Sequence, residues 1–129
     1  MIIITGSQSF IAKKLIKRLE KEKIKFVGLD KKNKKISKKH IKEDINSKNL
    51  NKYIKKNSTI IHLAAISNVK DCKINPMESL RTNINGTVNL IEQSIIQKAK
   101  HFIFASTEWV YPKQKKLFNE NTNINIDLL

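Results

Sequence analysis

Thr5-Gly6-Ser7-Gln8-Ser9-Phe10-Ile11-Ala12 joins a β-branched apolar run to a helical pattern. Glycine at a strand-to-helix turn permits a tight bend, and the first amides of the helix are then free to meet an anion. The chemistry this turn suits is phosphate binding by backbone N–H groups. A dinucleotide-binding turn carries three spaced glycines. Here Gly6 holds the first place, Ser9 the second and Ala12 the third. Alanine is tolerated at the third place, whereas serine at the second adds a side chain where a pyrophosphate approaches. Asp30 ends the next apolar run, about 20 residues after the turn, where an acid can accept hydrogen bonds from an adenosine ribose. It reads equally as a solvated carboxylate at a strand end.

Other chemistries find less support. Cys72 is the single cysteine, which excludes an internal disulfide and a cysteine-based zinc cluster and fits a reducing cytoplasm. His40, His62 and His101 are too scattered for a metal site, and none is expected. His62, inside an apolar run, is expected to be a hydrogen-bonded core residue. There is neither a serine-hydrolase elbow nor a phosphate loop ending in Gly-Lys-Ser/Thr.

The elements that must position these residues alternate between two patterns. Met1–Thr5, Ile24–Leu29, a weak segment at His40–Asp44, Thr59–Ala64 and His101–Ser106 read as strands. Ile11, Leu15, Ile16 and Leu19 share one face of a helix, with lysines on the other. Leu50, Tyr53 and Ile54 suggest a short helix. Met77, Leu80, Ile84, Val88, Ile91 and Ile95 mark a long one, opened by Asn75-Pro76 as cap and first-turn proline. Strand and helix in alternation predict an α/β domain, a parallel sheet of order 3-2-1-4-5 with helices on both faces.

Length and charge bound the remaining choices. The 129 residues, 40% hydrophobic and 29% charged, suit one domain with a true core. No apolar run reaches the length of a membrane helix, and the N-terminus does not read as a signal peptide. The net charge of +15 would suit a nucleic-acid binder. All but two of the 26 basic residues are lysine, however, and aromatics are only 6%. Readers of nucleic acid rely on arginine forks and stacking rings. The run Lys31-Lys32-Asn33-Lys34-Lys35-Ile36-Ser37-Lys38-Lys39 has no ring at all and reads as an exposed loop. A nucleic-acid partner is therefore not expected.

Several short segments occur in order: Thr5-Gly6-x-x-Ser9-Phe10-Ile11-Ala12, Asp44-Ile45, His62-Leu63-Ala64-Ala65, Asn75-Pro76, Asn83-Ile84-Asn85-Gly86-Thr87 and Ser106-Thr107-Glu108-Trp109-Val110-Tyr111. In this register the chain resembles the NAD-dependent epimerase/dehydratase family, the extended short-chain dehydrogenases acting mainly on nucleotide sugars. The resemblance runs from Met1 to about Pro112. It implies a Rossmann-type doubly wound sheet of about five strands over 1–112, followed by an irregular tail over 113–129. It also implies NAD as a recycled oxidant, with NADP less favoured because Asp30 repels a 2′-phosphate that Lys31, Lys32 and Lys34 attract.

Carried over by position, Gly6, Ser9, Phe10 and Ile11 form the pyrophosphate turn. Asp30 takes the adenosine ribose with Lys31 beside it, and Asp44-Ile45 flank the adenine. Leu63, Ala64 and Ala65 run beneath the cofactor, and Asn83 faces it from the following helix. Thr107 is implied to bind the reacting sugar oxygen. Glu108 matches the acidic proton-transfer position of the dehydratases, although it reads also as a surface carboxylate in a loop. Trp109 departs from the dehydratase pattern, which leaves epimerase, dehydratase and reductase open.

The family's chemistry needs a Tyr-x-x-x-Lys pair on a further helix, tyrosine as acid/base and lysine lowering its pKa. Tyr111 and Lys115 have the spacing, but Tyr111 trails Thr107 directly and Pro112 interrupts a helix there. Tyr53 has Asn57 at the matching place. The expectation is a chain truncated before its catalytic helix and inactive alone, completed by a separately encoded C-terminal chain or as a homo-oligomer. The alternatives are a non-catalytic or vestigial nucleotide-binding module and, more remotely, the lysine-rich nucleic-acid binder.

Overall fold

The computed structural model describes residues 1–32, 39–107, 110–111 and 119–122. Five strands form one sheet: β1 (Ile2–Thr5), β2 (Phe26–Asp30), β3 (His40–Lys42), β4 (Thr59–His62) and β5 (His101–Phe104). Their order is β3-β2-β1-β4-β5, and every neighbouring pair is parallel. This is the order that the alternating pattern predicts. The strands are shorter than the apolar runs suggest, because β4 leaves the ladder at His62 and β5 at Phe104.

Strand residues alternate between faces, and both faces are covered at β1, β2 and β4, whereas β5 at the edge leaves Ile103 and Phe104 exposed. Ile3, Leu29 and Ile60 pack with Leu50, Ile54 and Leu90 on one side. Ile4 and Phe26 pack with Ala12, Ile16 and Leu19 on the other, where helix α1 (Phe10–Lys21) lies. A continuous β-branched run is what a strand needs when neither of its faces meets water.

Helix α1 buries Ala12, Ile16 and Leu19, while Ile11 stays 62% exposed. The buried stripe is therefore centred one residue later than the apolar spacing from Ile11 suggests. Ile11 sits in the first turn and is rotated by about 100° from Ala12. Ser9 caps the helix, its Oγ accepting the Ala12 N–H at 3.3 Å.

On the other face, a 3₁₀ turn (Lys48–Lys52) precedes β4. Helices α2 (Val69–Ile74) and α3 (Pro76–Leu80), a π turn (Arg81–Asn85) and α4 (Gly86–Ile96) then follow. Asn75 caps α3 with Pro76 in its first turn, as the sequence indicates. Helix α2 and the π turn were not foreseen. The long helix also turns an unexpected side to the sheet. It buries Ser79, Thr82, Gly86, Leu90 and Ser94. Met77, Leu80, Ile84, Val88, Ile91 and Ile95, the residues that announce the helix, all point outward. Gly86 permits the close approach: a Cβ there would lie 2.5 Å from Ile45 Cδ1.

His62 ties these layers together and is a buried, hydrogen-bonded core residue, as expected. The Thr87 hydroxyl donates to Asn83 O at 2.8 Å, so it must accept from His62 Nε2, 2.9 Å away. His62 Nδ1 then accepts from the Thr5 hydroxyl at 2.6 Å. Burial pushes the His62 pKa down and favours this neutral form.

Candidate functional site

Open parallel sheets offer ligands the space beyond the carboxyl ends of their strands. A cleft of about 440 Å³ occupies this place. Gly6, Gln8 and Ser9 reach it from the end of β1, and Leu29 to Lys32 from the end of β2. Glu43 to Ile45 follow β3 into it, Leu63 to Ile66 follow β4, and Asp71, Asn75 and Thr82 close it from the helical side.

Gly6 is required here on two counts. Its φ is +67°, a region that L side chains disfavour. A Cβ would also lie 2.7 Å from Ala64 Cα, Ala64 N and Leu63 C. The turn after β1 thus rests directly on the backbone leaving β4. Ser9 takes the place of a second glycine, and its hydroxyl is turned to the helix cap.

Asp30 is held by two amides. Its Oδ2 accepts Gln8 N–H at 2.9 Å and its Oδ1 accepts Lys32 N–H at 2.8 Å. Lys31 extends to Glu78 of α3, with Nζ 2.7 Å from Oε1. On the opposite wall, burial raises the Asp44 pKa. The Asn46 backbone and side-chain amides, with Arg81 and Lys31 nearby, outweigh it and bring the carboxyl below its ordinary value. Asn89 of α4 donates to Ile45 O at 2.7 Å and to Ser47 O at 3.2 Å, which fixes this wall to the long helix.

Nine of the residues singled out in the sequence therefore line one cleft: Gly6, Ser9, Asp30, Lys31, Asp44, Ile45, Leu63, Ala64 and Ala65. Phe10 and Ile11 stand at the start of α1 with side chains exposed and outside the lining. Asn83 grips the loop after β4, accepting Ile66 N–H at 2.8 Å and donating to Ile66 O at 2.9 Å. It therefore shapes the cleft through Ile66. Thr107 is exposed just past β5 and is not among the lining residues. Glu108, Trp109, Pro112, Lys113 and Lys115 lie outside the described residues, as do Lys34 and most of the lysine-rich stretch and tail.

Gln8, Leu29, Glu43, Ile66, Asp71, Asn75 and Thr82 line the cleft without having been singled out as site residues, and Lys32, named only as a cation for a 2′-phosphate, lines it too. Asn75 did carry a signal, as a helix cap, and Gln8 lies within the glycine turn. Asp71 had none, because helix α2 itself was not legible. Tyr53 is a packing residue, its hydroxyl pKa raised by burial and by its hydrogen bond with Glu43.

Residues 2–126 match the NAD dependent epimerase/dehydratase family. Among curated proteins, a UDP-N-acetyl-alpha-D-glucosaminuronate decarboxylase of Bacillus cytotoxicus is 33% identical over 92% of this chain and 40% of its own length. Among solved structures, MoeE5 in complex with UDP-glucose and NAD superposes with a TM-score of 0.80 at 28% identity. The match covers 96% of this chain and 42% of that one. Pal from Bacillus thuringiensis superposes at 0.76 with 27% identity, over 96% of this chain and 45% of its own. This chain thus spans about two-fifths of the length of the proteins it matches. Sheet order, cleft and matched sequence agree, and the chain belongs to the NAD-dependent epimerase/dehydratase family.

Proposed function

We propose that this chain is the cofactor-holding portion of an NAD-dependent enzyme acting on a nucleotide sugar. One observation carries the reading: the glycine turn and an amide-anchored carboxylate meet in a single cleft beyond the strand ends. The residues fit the group. Only a residue without a Cβ lets the turn lie against Ala64, and such a turn presents backbone N–H groups to a pyrophosphate. Asp30, with one amide on each oxygen, keeps lone pairs for the two hydroxyls of a ribose. Asp44 and Ile45 form the wall for the adenine, and Leu63, Ala64 and Ala65 the floor. NAD, when bound, supplies a hydride acceptor. Thr107, past the carboxyl end of β5, orients the sugar hydroxyl, and Glu108 follows it.

On its own the chain is inactive in this reading. Tyr111 and Tyr53 are its only tyrosines, and Tyr53 is engaged with Glu43. General base catalysis contributes about 10²–10⁴-fold, and positioning by a sugar-binding portion contributes further. A portion bearing a Tyr-x-x-x-Lys pair and the sugar-binding residues would supply both.

Calorimetric titration of the purified chain tests the cofactor reading. Saturable one-site binding of NAD, weakened in Asp30→Ala, supports it. NADP binding more tightly than NAD to the unaltered chain overturns the role of Asp30. Incubation with NAD and a panel of nucleotide sugars tests the rest. No turnover is expected until a chain bearing Tyr-x-x-x-Lys is added. Activity of this chain alone that vanishes in Tyr111→Phe overturns the expectation, and NAD binding without turnover in any combination favours a non-catalytic module.

A further inference from the structure

Lys31 is the basic residue next to the acid that ends β2, and it lines the same cleft. A cation there is what a 2′-phosphate on the adenosine ribose requires. Its ammonium is already engaged, however. Glu78 reaches across from α3 and accepts its hydrogen bond at 2.7 Å. The other Glu78 oxygen faces Arg81 Nη1 at 3.7 Å, and the Thr82 hydroxyl donates to Oε1 at 3.4 Å. One carboxylate therefore neutralises two cations at the rim of the cleft.

We infer that Glu78 is a specificity-determining positioning residue, which keeps Lys31 from receiving a 2′-phosphate and so sets the preference for NAD over NADP. The inference rests on the cofactor reading given above. Glu78 is suited to the task by its placement. It stands in the first turn of α3, where its own N–H is capped by Asn75 Oδ1 at 3.2 Å and where a negative side chain is favoured. The Lys31 hydrogen bond, and its charge with that of Arg81, hold the carboxyl below the usual carboxylate range. It therefore stays ionised throughout the neutral range, and its charge opposes that of Lys31 there.

The discrimination has two parts. Asp30 opposes a phosphate directly by charge and by its hydrogen bonds with the ribose. Glu78 acts indirectly, by spending the charge of Lys31 elsewhere. Charged groups at a partly exposed rim interact through solvent and ions, so the second part must weaken as salt rises.

The test compares NAD and NADP binding to the wild-type chain, Glu78→Gln, Glu78→Asp, and Glu78→Gln combined with Lys31→Ala, each checked for its melting temperature. Glu78→Gln should tighten NADP about tenfold, the equivalent of about 1.4 kcal/mol, while NAD changes by less than about threefold. The gain should shrink between low and high salt, disappear in the Lys31→Ala double variant, and be absent in Glu78→Asp, which keeps the charge. A general loosening of α3 would alter both cofactors together and would not depend on Lys31. If NAD binds as expected but NADP affinity is unchanged or lower in Glu78→Gln, the inference is overturned and the cofactor reading stands. If the wild-type chain binds neither cofactor, the cofactor reading fails, and the role of Glu78 falls with it.

Discussion

Gln8 donates its backbone N–H to the Asp30 carboxylate at 2.9 Å, fastening the end of β2 to the turn after β1. A residue that would hold a ribose and a turn that would hold a pyrophosphate are thereby fixed at one separation. The Asp30→Ala variant should lose both a ligand contact and this fastening. NAD affinity is expected to fall by at least about tenfold, since hydrogen bonds to charged groups contribute about 1.5–3 kcal/mol. Asp30→Asn, which keeps an acceptor but not the charge, should fall between the two. Titration calorimetry on all three proteins checks the ranking.

Gly6→Ala tests the turn itself. The added Cβ meets the Ala64 backbone at 2.7 Å on a residue whose φ is +67°. Left-handed backbone and a backbone clash together should cost about 2–5 kcal/mol. A urea midpoint shifted by less than 1 kcal/mol equivalent would show that the turn and β4 separate easily.

Acid should act on this chain in two steps. Burial lowers the His62 pKa in the folded chain, so between about pH 6.5 and that lowered value the unfolded chain binds the extra proton. Stability therefore falls as pH drops below about 6.5, by up to about 1.4 kcal/mol per pH unit. The Asp44 and Glu78 carboxyls have lowered values, and their contribution is lost only below the unfolded carboxylate range near pH 4. Thermal melts from pH 7.5 to 5 should slope downward in the wild type and be flatter in His62→Gln. Equal slopes would show that His62 takes up its proton without unfolding.

The long helix should respond to mutation against its hydropathy pattern. Leu90 is fully buried against Ile3 and Ile60, and Leu90→Ala should cost about 2–5 kcal/mol. Ile95 is 72% exposed, and Ile95→Gln should change stability by less than about 0.5 kcal/mol. Ser94, which is buried and donates to Leu90 O at 2.6 Å, should not tolerate leucine. Denaturant melts of the three variants order them.

Strands and their order were legible because two-face burial leaves a mark in the sequence, as in Ile2-Ile3-Ile4 and Thr59-Ile60-Ile61. The cleft was legible where a residue's type is dictated by backbone, as at Gly6, or by the end of a strand, as at Asp30. The facing of the long helix was not. Gly86 draws the helix close to Ile45, so its small residues turn inward and its large ones are left outside, which periodicity alone cannot reveal. The pairing of Lys31 with Glu78 joins residues 47 apart in sequence and depends on where α3 lies. Asn83 grips Ile66 N–H and O, a contact with a loop amide and carbonyl that its place in the sequence does not announce.

The central place of β1 has a consequence during synthesis. The strand is among the first parts of the domain to be translated, yet its two neighbours, β2 and β4, leave the ribosome at different times. β2 ends at Asp30 and β4 at His62. At about 5–20 residues per second, one side of Ile2–Thr5 waits several seconds for its partner. An unpaired apolar strand is a template for intermolecular pairing. The nascent chain is therefore most vulnerable after α1 has formed and before Thr59–His62 emerges.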